Sequence, residues 1–322
     1  MRIFVAGATG AVGRTLVPAL VAAGHSVTGM TRSPEKAGAI RRAGAEPVVA
    51  DGLNARAVRA AVISARPDVI IDQMTDLATV TDLRHFDRAF ANTNRLRTEG
   101  TDHLLAAAHE ADVKRFIAQS FCGWSFSRES DAVKTETDAL DPEPPRELAR
   151  TLDALRYLEQ IVTKSIHLEG IVLRYGSFYG PDTGMFSRAM IDELRHRRVP
   201  LIGNGAGRWS FVHVEDAASA TVAAIEHGKP GQIYNIVDDE PAQVSEWLPA
   251  LAGILGAKPP FHIPAWVGRL LAGEHMVSMM TQVRAGSNAT AQQELGWQPA
   301  YPSWRQGFAK AARLPVERRI AA

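Results

Sequence analysis

Two kinds of hydrophobic pattern alternate through the first half of the chain. Short apolar runs, typical of buried strands, are separated by longer segments with apolar residues every three or four positions, typical of amphipathic helices. The strand-like runs lie at 2–6, 26–30, 47–50, 69–71, 115–119 and 170–174. The helical segments lie at 14–23, 34–43, 55–65, a long stretch ending near 110, and about 146–168. This alternation favours a parallel sheet covered by helices on both faces.

Beyond residue 180 the pattern becomes less regular, and Pro and Gly interrupt it often. Short strands are predicted at 200–202, 210–213 and 232–236, and helices at 214–227, 244–255, 290–295 and 304–313. We therefore predict an α/β fold with a Rossmann doubly wound parallel sheet, whose core is residues 1–180. Residues 181–322 are predicted to form mainly a smaller α+β substrate lobe that returns some segments to the Rossmann core.

The first strand runs directly into a glycine turn that is followed by a helix, which is the context that a dinucleotide fingerprint requires. Gly7 permits the tight turn, Gly10 lets the backbone approach a pyrophosphate, and Gly13 lets the helix pack closely on the sheet. The pyrophosphate would then lie on the helix N-terminus. The predicted phosphate loop comprises Gly7, Thr9, Gly10, Ala11, Val12 and Gly13. The alternative is a glycine-rich turn in another kind of α/β protein.

Charge and cysteine content narrow the class of protein. The 322 residues include 36 Lys and Arg and 35 Asp and Glu, a net charge of +1, which does not indicate binding to nucleic acid or to an anionic membrane. Cys122 is the one cysteine, so neither an intramolecular disulfide nor a thiolate metal cluster is expected. No apolar stretch approaches the roughly 18 residues of a membrane span, and no signal peptide is recognised. We expect a cytoplasmic protein with a small-molecule substrate and no metal.

Further motifs occur in a recognisable order along nearly the whole chain. They are Asp51-Gly52-Leu53, Gly100-Thr101, Gln119-Ser120, the stretch 173–181, the stretch 211–218 and the stretch 294–299. With the glycine turn, they make the chain resemble the extended short-chain dehydrogenases/reductases of the epimerase/dehydratase kind. The resemblance implies a Rossmann domain with a substrate lobe, NAD(P) binding and often a homodimer joined through two long helices.

The resemblance also implies where the rest of the cofactor lies. Asp51 would bind the adenine amino group, Met74 and Thr75 would flank the nicotinamide ribose, and the segment from Tyr175 would lie along the nicotinamide. The implied contacts outside the glycine loop are Asp51, Gly52, Leu53, Met74, Thr75, Tyr175 and Phe178.

The end of the second strand decides between NAD and NADP. NAD-binding Rossmann folds place an acidic residue there to bind the ribose 2′-hydroxyl. This chain has Arg32 and Ser33 instead, which offer a guanidinium and a hydroxyl to a 2′-phosphate. The sequence therefore predicts NADP(H) as cofactor, with NAD possible.

The residue pair that usually donates the proton in this family is missing from the sequence. These enzymes usually carry Tyr-x-x-x-Lys on the helix before the sixth strand, and no Tyr in this chain is followed by Lys at that spacing. If Glu159 aligns the helix, the two positions are Thr151 and Leu155. Arg97 occupies the position where the family usually has Asn, and Asp72 occupies a position where it usually has His. The candidate catalytic residues are Ser120, Lys134, Thr151 and Tyr175.

Aromatic residues near the end of the fifth strand favour an apolar substrate pocket. The residues predicted to line it are Phe121, Cys122, Trp124 and Phe186. Three functions stay open: an NADP(H)-dependent oxidoreductase acting on a carbonyl or alcohol of a small molecule, a sugar-nucleotide epimerase or dehydratase, and a non-catalytic NADP(H)-sensing protein. His213, at the start of a predicted helix, is interpreted as a buried structural histidine rather than a catalytic base.

Overall fold

The fold is built on a seven-stranded parallel sheet in a computed structural model that describes residues 1–77, 85–181 and 183–313. Its strands are β1 (Arg2–Ala6), β2 (Ser26–Thr31), β3 (Glu46–Val49), β4 (Val69–Asp72), β5 (Arg115–Phe121), β6 (Glu169–Tyr175) and β12 (Ile233–Ile236). Their spatial order is β12-β6-β5-β4-β1-β2-β3, and every neighbouring pair is parallel. The predicted Rossmann α/β fold is confirmed.

Helices surround this sheet and form much of the lobe beside it. In chain order they are α1 (Gly13–Ala22), α2 (Ala37–Arg42), α3 (Ala55–Ala65), α4 (Phe86–Ala89), α5 (Ala91–Arg95), α6 (Thr101–Glu110), α7 (Arg146–Thr163), α8 (Arg188–Arg195), α9 (Val214–His227), α10 (Val244–Ile254), α11 (Ala265–Ala272), α12 (Glu274–Thr281), α13 (Ala289–Leu295) and α14 (Trp304–Arg313). A 3₁₀ turn at Pro34–Lys36 precedes α2, and a π turn at Leu96–Gly100 joins α5 to α6. No helix in the described part of the chain is long and apolar enough to cross a membrane.

Short strands organise the lobe. β7 (Ser177–Gly180), β8 (Thr183–Gly184) and β11 (Phe211–His213) form a three-stranded sheet. Two further pairs join β9 (Leu201–Ile202) to β14 (His262–Ile263) and β10 (Arg208–Trp209) to β13 (Ala242–Gln243). Although β12 lies beyond residue 180, it forms one edge of the main sheet beside β6.

Alternating side chains along the strands build two apolar layers, one on each face of the sheet. In β1, Ile3 and Val5 point to the layer that includes α1 and α9. Phe4 and Ala6 point to the opposite layer, which includes α3, α6 and α7. The lobe has its own core of large aromatic side chains, namely Tyr179, Phe211, Trp247, Trp304 and Phe308.

Two predicted helices differ from the observed ones. The helix expected over about 146–168 ends at Thr163, because Ser165 donates its N–H back to the Val162 carbonyl and the chain turns towards β6. The long helix expected before Glu110 is divided into α4, α5, the π turn and α6. Helix starts at α3, α9 and α14 agree with the prediction.

His213 shows how burial shapes one of these helix starts. Its side chain is only 4% exposed, its Nδ1 accepts the N–H of Glu215 at 3.2 Å as the N-cap of α9, and its ring stacks on Tyr301 at 4.0 Å. Burial lowers the pKa of His213 to about 4, so the imidazole is neutral in the folded protein near pH 7.

We expect this histidine to make the protein less stable in acid. Between pH 6.5 and about 4 the unfolded chain binds a proton at His213 that the folded chain does not, so the free energy of unfolding falls as the pH falls. The loss attributable to His213 is about 2 kcal/mol at pH 5. Urea unfolding at pH 8 and pH 5 measures it by comparison with His213→Asn, which keeps a capping acceptor. Equal pH dependence in the two proteins would contradict this assignment.

Candidate cofactor-binding and active site

The glycine turn after β1 forms an open cradle at the N-terminus of α1. Gly7 has φ +84°, and a Cβ there would lie 2.6 Å from the Gln73 carbonyl oxygen, while one on Gly13 would clash with the Gly7 carbonyl. A Cβ on Gly10 would meet only the Gly7 oxygen, at 3.3 Å, so the other side of Gly10 is open. The first turn of α1 has no acidic residue, and Val12 provides no side-chain cap. These features fit a pyrophosphate bound to backbone N–H groups.

Thr9, Ala11 and Val12 complete this turn. Thr9 is held by contact between its hydroxyl and that of Thr31, 3.1 Å away at the end of β2. Ala11 is partly buried and Val12 is buried against α1 and the first apolar layer. The cradle therefore has a fixed backbone with little side-chain bulk.

The segments after β3 and β4 lie on the same edge of the sheet as the cradle. Asp51 is exposed and its carboxylate accepts the Leu53 N–H at 3.0 Å. Gly52 packs against the Met74 thioether so closely that a Cβ would collide with it. Thr75 follows Met74 and is partly exposed. This arrangement leaves a carboxylate at the rim above an apolar floor.

Arg32 and Ser33 lie at the end of β2. Arg32 is half exposed and donates from both terminal nitrogens to the Asp76 carboxylate, at 2.6 and 3.2 Å. The Ser33 N–H donates to the Thr31 hydroxyl at 3.3 Å. Arg32 lowers the pKa of Asp76 through this hydrogen bond, and Asn92 adds a second one. The guanidinium predicted to bind a 2′-phosphate thus already has an anionic neighbour.

Ser120 is turned away from the cavity described below. Its hydroxyl donates to the Glu159 carboxylate at 2.6 Å, and the same carboxylate is paired with Arg174 at 2.6 and 2.8 Å. All three side chains are buried. The hydroxyl expected to polarise a substrate carbonyl therefore belongs to a buried network between β5, β6 and α7.

The other candidate acids are also engaged. Thr151 is fully buried and its hydroxyl accepts the Asn94 amide N–H at 3.0 Å. Lys134 donates to the Glu129 carbonyl at 2.8 Å and lies 3.7 Å from Asp138. Neither side chain lines the cavity.

Tyr175 lies in the apolar layer on one face of the sheet. Its hydroxyl accepts from the Gln73 amide at 3.1 Å and lies 2.6 Å from the Thr221 hydroxyl. Burial raises the pKa of Tyr175 to about 12. Phe178, whose ring centroid is 5.4 Å away, packs beside it. The Tyr175 hydroxyl is therefore engaged within this layer, and Tyr175 is not among the residues that line the cavity described below.

An apolar cavity of about 200 Å³ opens where β4, β5 and β6 end. Its walls are aromatic, and the rings come from Phe86, Phe90, Phe121, Trp124 and Trp209. Phe86 and Phe90 stack at 3.9 Å, and Trp124 lies 5.7 Å from both Phe86 and Phe121. A volume of this size accommodates one substituted aromatic ring.

Two of the residues predicted for this pocket behave differently from Phe121 and Trp124. Cys122 borders the cavity, but its thiol packs tightly against Gly286, and burial raises its pKa to about 12. Phe186, expected to line the pocket, instead lies in the lobe core with its ring 5.4 Å from that of Phe308. The position of Phe186 depends on how the lobe packs, which the local sequence does not encode.

Arg97 was not among the sequence-based candidates, yet it is the charged residue among the described side chains that line the cavity. It is 5% exposed, and its Nε and Nη1 have no hydrogen-bond partner in the described structure. Burial lowers its pKa to about 10, a value at which it stays protonated at pH 7. The available signal was its departure from the usual Asn, together with Asp72 in place of His.

Asp72 is the acidic counterpart of Arg97 at the end of β4. Its carboxylate accepts the Met74 N–H at 3.0 Å and the Thr101 hydroxyl at 3.1 Å. Burial raises the pKa of Asp72 to about 6, against the effect of these hydrogen bonds and of the Arg97 charge. Asp72 thus carries a carboxyl group with a raised pKa near Arg97, although its side chain does not line the cavity.

Known proteins resemble the chain over most of its length. Residues 3–237 match the family described as "NAD dependent epimerase/dehydratase family". A Streptomyces sp. protein named 3-diazoavenalumate denitrifying reductase is 41% identical over 96% of this chain and 100% of its own. A Stigmatella aurantiaca ketoreductase of a 4-hydroxy-2-methyl-3-oxo-4-farnesyl-3,4-dihydroquinoline-1-oxide is 28% identical over 80% of this chain and 74% of its own. UDP-glucose 4-epimerase of Thermotoga maritima has the same fold, with a TM-score of 0.78, 21% identity and full coverage of both chains.

The open side of Gly10 leads to a test of the cradle. We expect Gly10→Val to fold normally but to bind NADP(H) at least about tenfold more weakly, because its side chain would occupy the space of the pyrophosphate. Isothermal titration calorimetry measures the affinity and thermal unfolding measures the stability. Gly253→Ala is a matched control, since a Cβ there meets nothing within 4 Å. Unchanged affinity in Gly10→Val would contradict the assignment of the cradle.

Proposed function

Because the chain belongs to the NAD dependent epimerase/dehydratase family, we propose that it reduces a small aromatic diazo compound with NADPH as the hydride source. Membership of the family confirms the resemblance inferred from the sequence and makes the chain an NAD(P)-dependent enzyme of the oxidoreductase or epimerase type. A nicotinamide cofactor is thereby confirmed. The choice of NADP, the substrate and the roles of individual residues are proposals.

The observation that carries this proposal is an aromatic cavity whose described lining residues include no carboxyl, imidazole, ammonium or phenol group to donate a proton. Its walls are rings, and Thr151, Tyr175 and Lys134 are engaged elsewhere. Carbonyl reduction adds a proton to oxygen as well as a hydride to carbon, so it uses a proton donor. A reaction that takes a hydride alone fits this cavity better.

When bound in the cradle, the reduced nicotinamide would supply a hydride to a substrate in the cavity. An aromatic diazonium group is a substrate that accepts a hydride and needs no proton. The ring carbon gains a C–H bond with the electron pair of the hydride, the C–N bond breaks, and the two nitrogens leave as N₂. No proton enters or leaves. The 41% identical relative is named for a reductive denitrification of a diazo substrate, which supports this class.

The aromatic walls of the cavity, as distinct from the positively charged Arg97, suit the diazonium group electrostatically. Aromatic faces carry partial negative charge and stabilise cationic groups within about 6 Å. Phe121 and Trp124 lie at the end of β5, and Trp209 faces them from the lobe. These rings would exclude water and hold the diazonium-bearing ring of the substrate between the edge of the main sheet and the lobe.

The other functions left open by the sequence fit less well. A sugar nucleotide is larger than a cavity of about 200 Å³ can enclose, since sites for ligands of drug size usually occupy 300 Å³ or more. A carbonyl or alcohol substrate is the second candidate, because the 28% identical relative is named a ketoreductase. It would draw its proton from water or from a serine hydroxyl of the cavity wall, Ser177 or Ser210.

Two finer expectations also remain proposals. We propose the homodimer that the family implies, formed through the outer faces of α6 and α7, which Tyr157 already links by hydrogen bonds of 2.8 Å to Asp102. A cytoplasmic location stays a prediction from the single cysteine and the sequence pattern.

The reaction can be tested directly. With an aromatic diazo carboxylate, we expect NADPH absorbance to fall in a 1:1 ratio with N₂ released and with the dediazotised arene formed. An aromatic ketone and a UDP-sugar serve as comparison substrates. Ketone-dependent NADPH consumption without any reaction of the diazo compound would support the second candidate and reject the first.

Cofactor choice has its own test. We propose that Arg32 leaves Asp76 in part to bind the 2′-phosphate of NADP(H), so Arg32→Ala should weaken NADPH binding about tenfold and leave NADH binding nearly unchanged. Arg59→Ala is the matched control, since Arg59 is a similarly exposed arginine paired with Glu110 outside the site. Calorimetry gives both dissociation constants. Equal losses for NADH and NADPH would remove Arg32 from this role.

A further inference from the structure

A buried cation, Arg97, borders the aromatic cavity. Arg97 is only 5% exposed, and its Nε and Nη1 have no acceptor among the described residues. A guanidinium has five N–H donors in a planar fork that matches carboxylate and similar oxygen anions. Buried N–H groups of this kind are normally satisfied, so a missing partner indicates an acceptor that arrives with a ligand.

The two carboxylates that influence Arg97 are already occupied. Asp72 accepts from Met74 and Thr101, and Glu159 accepts from Ser120 and from Arg174. Both raise the pKa of Arg97 through their charge alone, and neither supplies an acceptor to its Nε or Nη1. The two carboxylates favour the charged form of Arg97, and its Nε and Nη1 remain available to bind another oxygen.

Local structure fixes where Arg97 points. It lies in the π turn Leu96–Gly100, which packs against α7. One turn earlier, Asn94 binds the Thr151 hydroxyl on the same helix. Arg97 is thus held close to α7, the helix that carries Thr151 and Leu155 at the positions of the family's usual Tyr and Lys. Short π-helical turns of this kind often mark functional sites.

We propose that Arg97 is the residue that selects the substrate, by pairing with an anionic oxygen carried by a single-ring aromatic compound in the cavity. The oxygen is a carboxylate or a ring phenolate. This inference rests on the proposed function, since it concerns the substrate of the same site. It assigns to Arg97 a recognition role that requires no proton transfer.

The shape and chemistry of the cavity agree with such a ligand. Ring stacking on Phe121 and Trp124 would hold an aromatic plane, while Arg97 holds one edge of it. With no other charged side chain among the described lining residues, the cavity offers a single anchoring point for an anion. A neutral aromatic compound of the same shape would leave the Arg97 donors unsatisfied and would bind less well.

Binding of matched ligand pairs tests this proposal without turnover. The full-length protein, saturated with NADP⁺, is titrated with cinnamate against cinnamamide and with 4-nitrophenolate against 4-nitroanisole, and affinities are read from tryptophan fluorescence and calorimetry. We expect at least one anion to bind about 10- to 100-fold more tightly than its neutral partner. The pair that shows the preference identifies the oxygen as carboxylate or phenolate.

Variants assign the preference to Arg97. Arg97→Gln should abolish it, Arg97→Lys should keep part of it, and Arg195→Gln, an exposed arginine of α8, should keep all of it. Thermal unfolding and NADP⁺ affinity show whether each variant is folded. No anion preference in the wild-type protein, or an undiminished one in a folded Arg97→Gln variant, would overturn the proposal. If Arg97→Gln does not fold, the wild-type pairs and Arg97→Lys decide it.

The outcomes separate this inference from the reaction proposed above. Anion preference that depends on Arg97, with no reduction of the diazo compound, would reject the reaction and keep the recognition role. Diazo reduction with equal binding of anions and neutral partners would reject the recognition role and keep the reaction.

Discussion

The buried ion pair between Glu159 and Arg174 determines how the site is assembled. It joins α7 to β6 through two hydrogen bonds of 2.6 and 2.8 Å, and Ser120 of β5 donates to the same carboxylate. Removing one partner of such a pair usually costs about 3–5 kcal/mol, because the other charge is left buried and unpaired. The pair therefore fixes α7 on the sheet. It also engages the Ser120 hydroxyl, which donates its proton to the Glu159 carboxylate.

Fixing α7 in this way determines what faces the cavity. Thr151 and Leu155 are buried on α7, where the π turn packs against the helix. Arg97 belongs to that turn, and its Nε and Nη1 have no acceptor among the described residues, while Asp72 holds a carboxylate whose pKa is raised to about 6. An anionic ligand at Arg97 would add negative charge near Asp72 and would favour its protonated form.

The sequence predicted most of the fold because its signals are local. The strand before Gly7, the clash that excludes any side chain at Gly13 and the N-cap at His213 all depend on neighbours in the chain or on the adjoining strand. The candidate site was less predictable, because its groups meet only in the tertiary structure. The chemistry of Ser120 and Lys134 makes them candidates in the sequence, but their bonds to Glu159 and Glu129 depend on packing. Arg97 was noted as a departure, and only its burial indicates a role.

The absence of the usual Tyr-x-x-x-Lys pair and the presence of Arg97 both agree with the proposed reaction, in which a hydride is transferred without a proton. A guanidinium orients and stabilises an anionic oxygen, but it does not give up a proton near pH 7 because its pKa stays far above that value. A site that depends on Arg97 can therefore hold a substrate without acting as its acid. The proposed hydride addition to an aromatic diazonium requires no acid, since the ring carbon takes only the hydride and the leaving group departs as neutral N₂. A ketone would place a growing negative charge on oxygen, and Arg97 would stabilise that charge while water supplied the proton. Under this proposal the same residue would serve the preferred substrate class and the second candidate, and the two reactions would differ in the source of one proton.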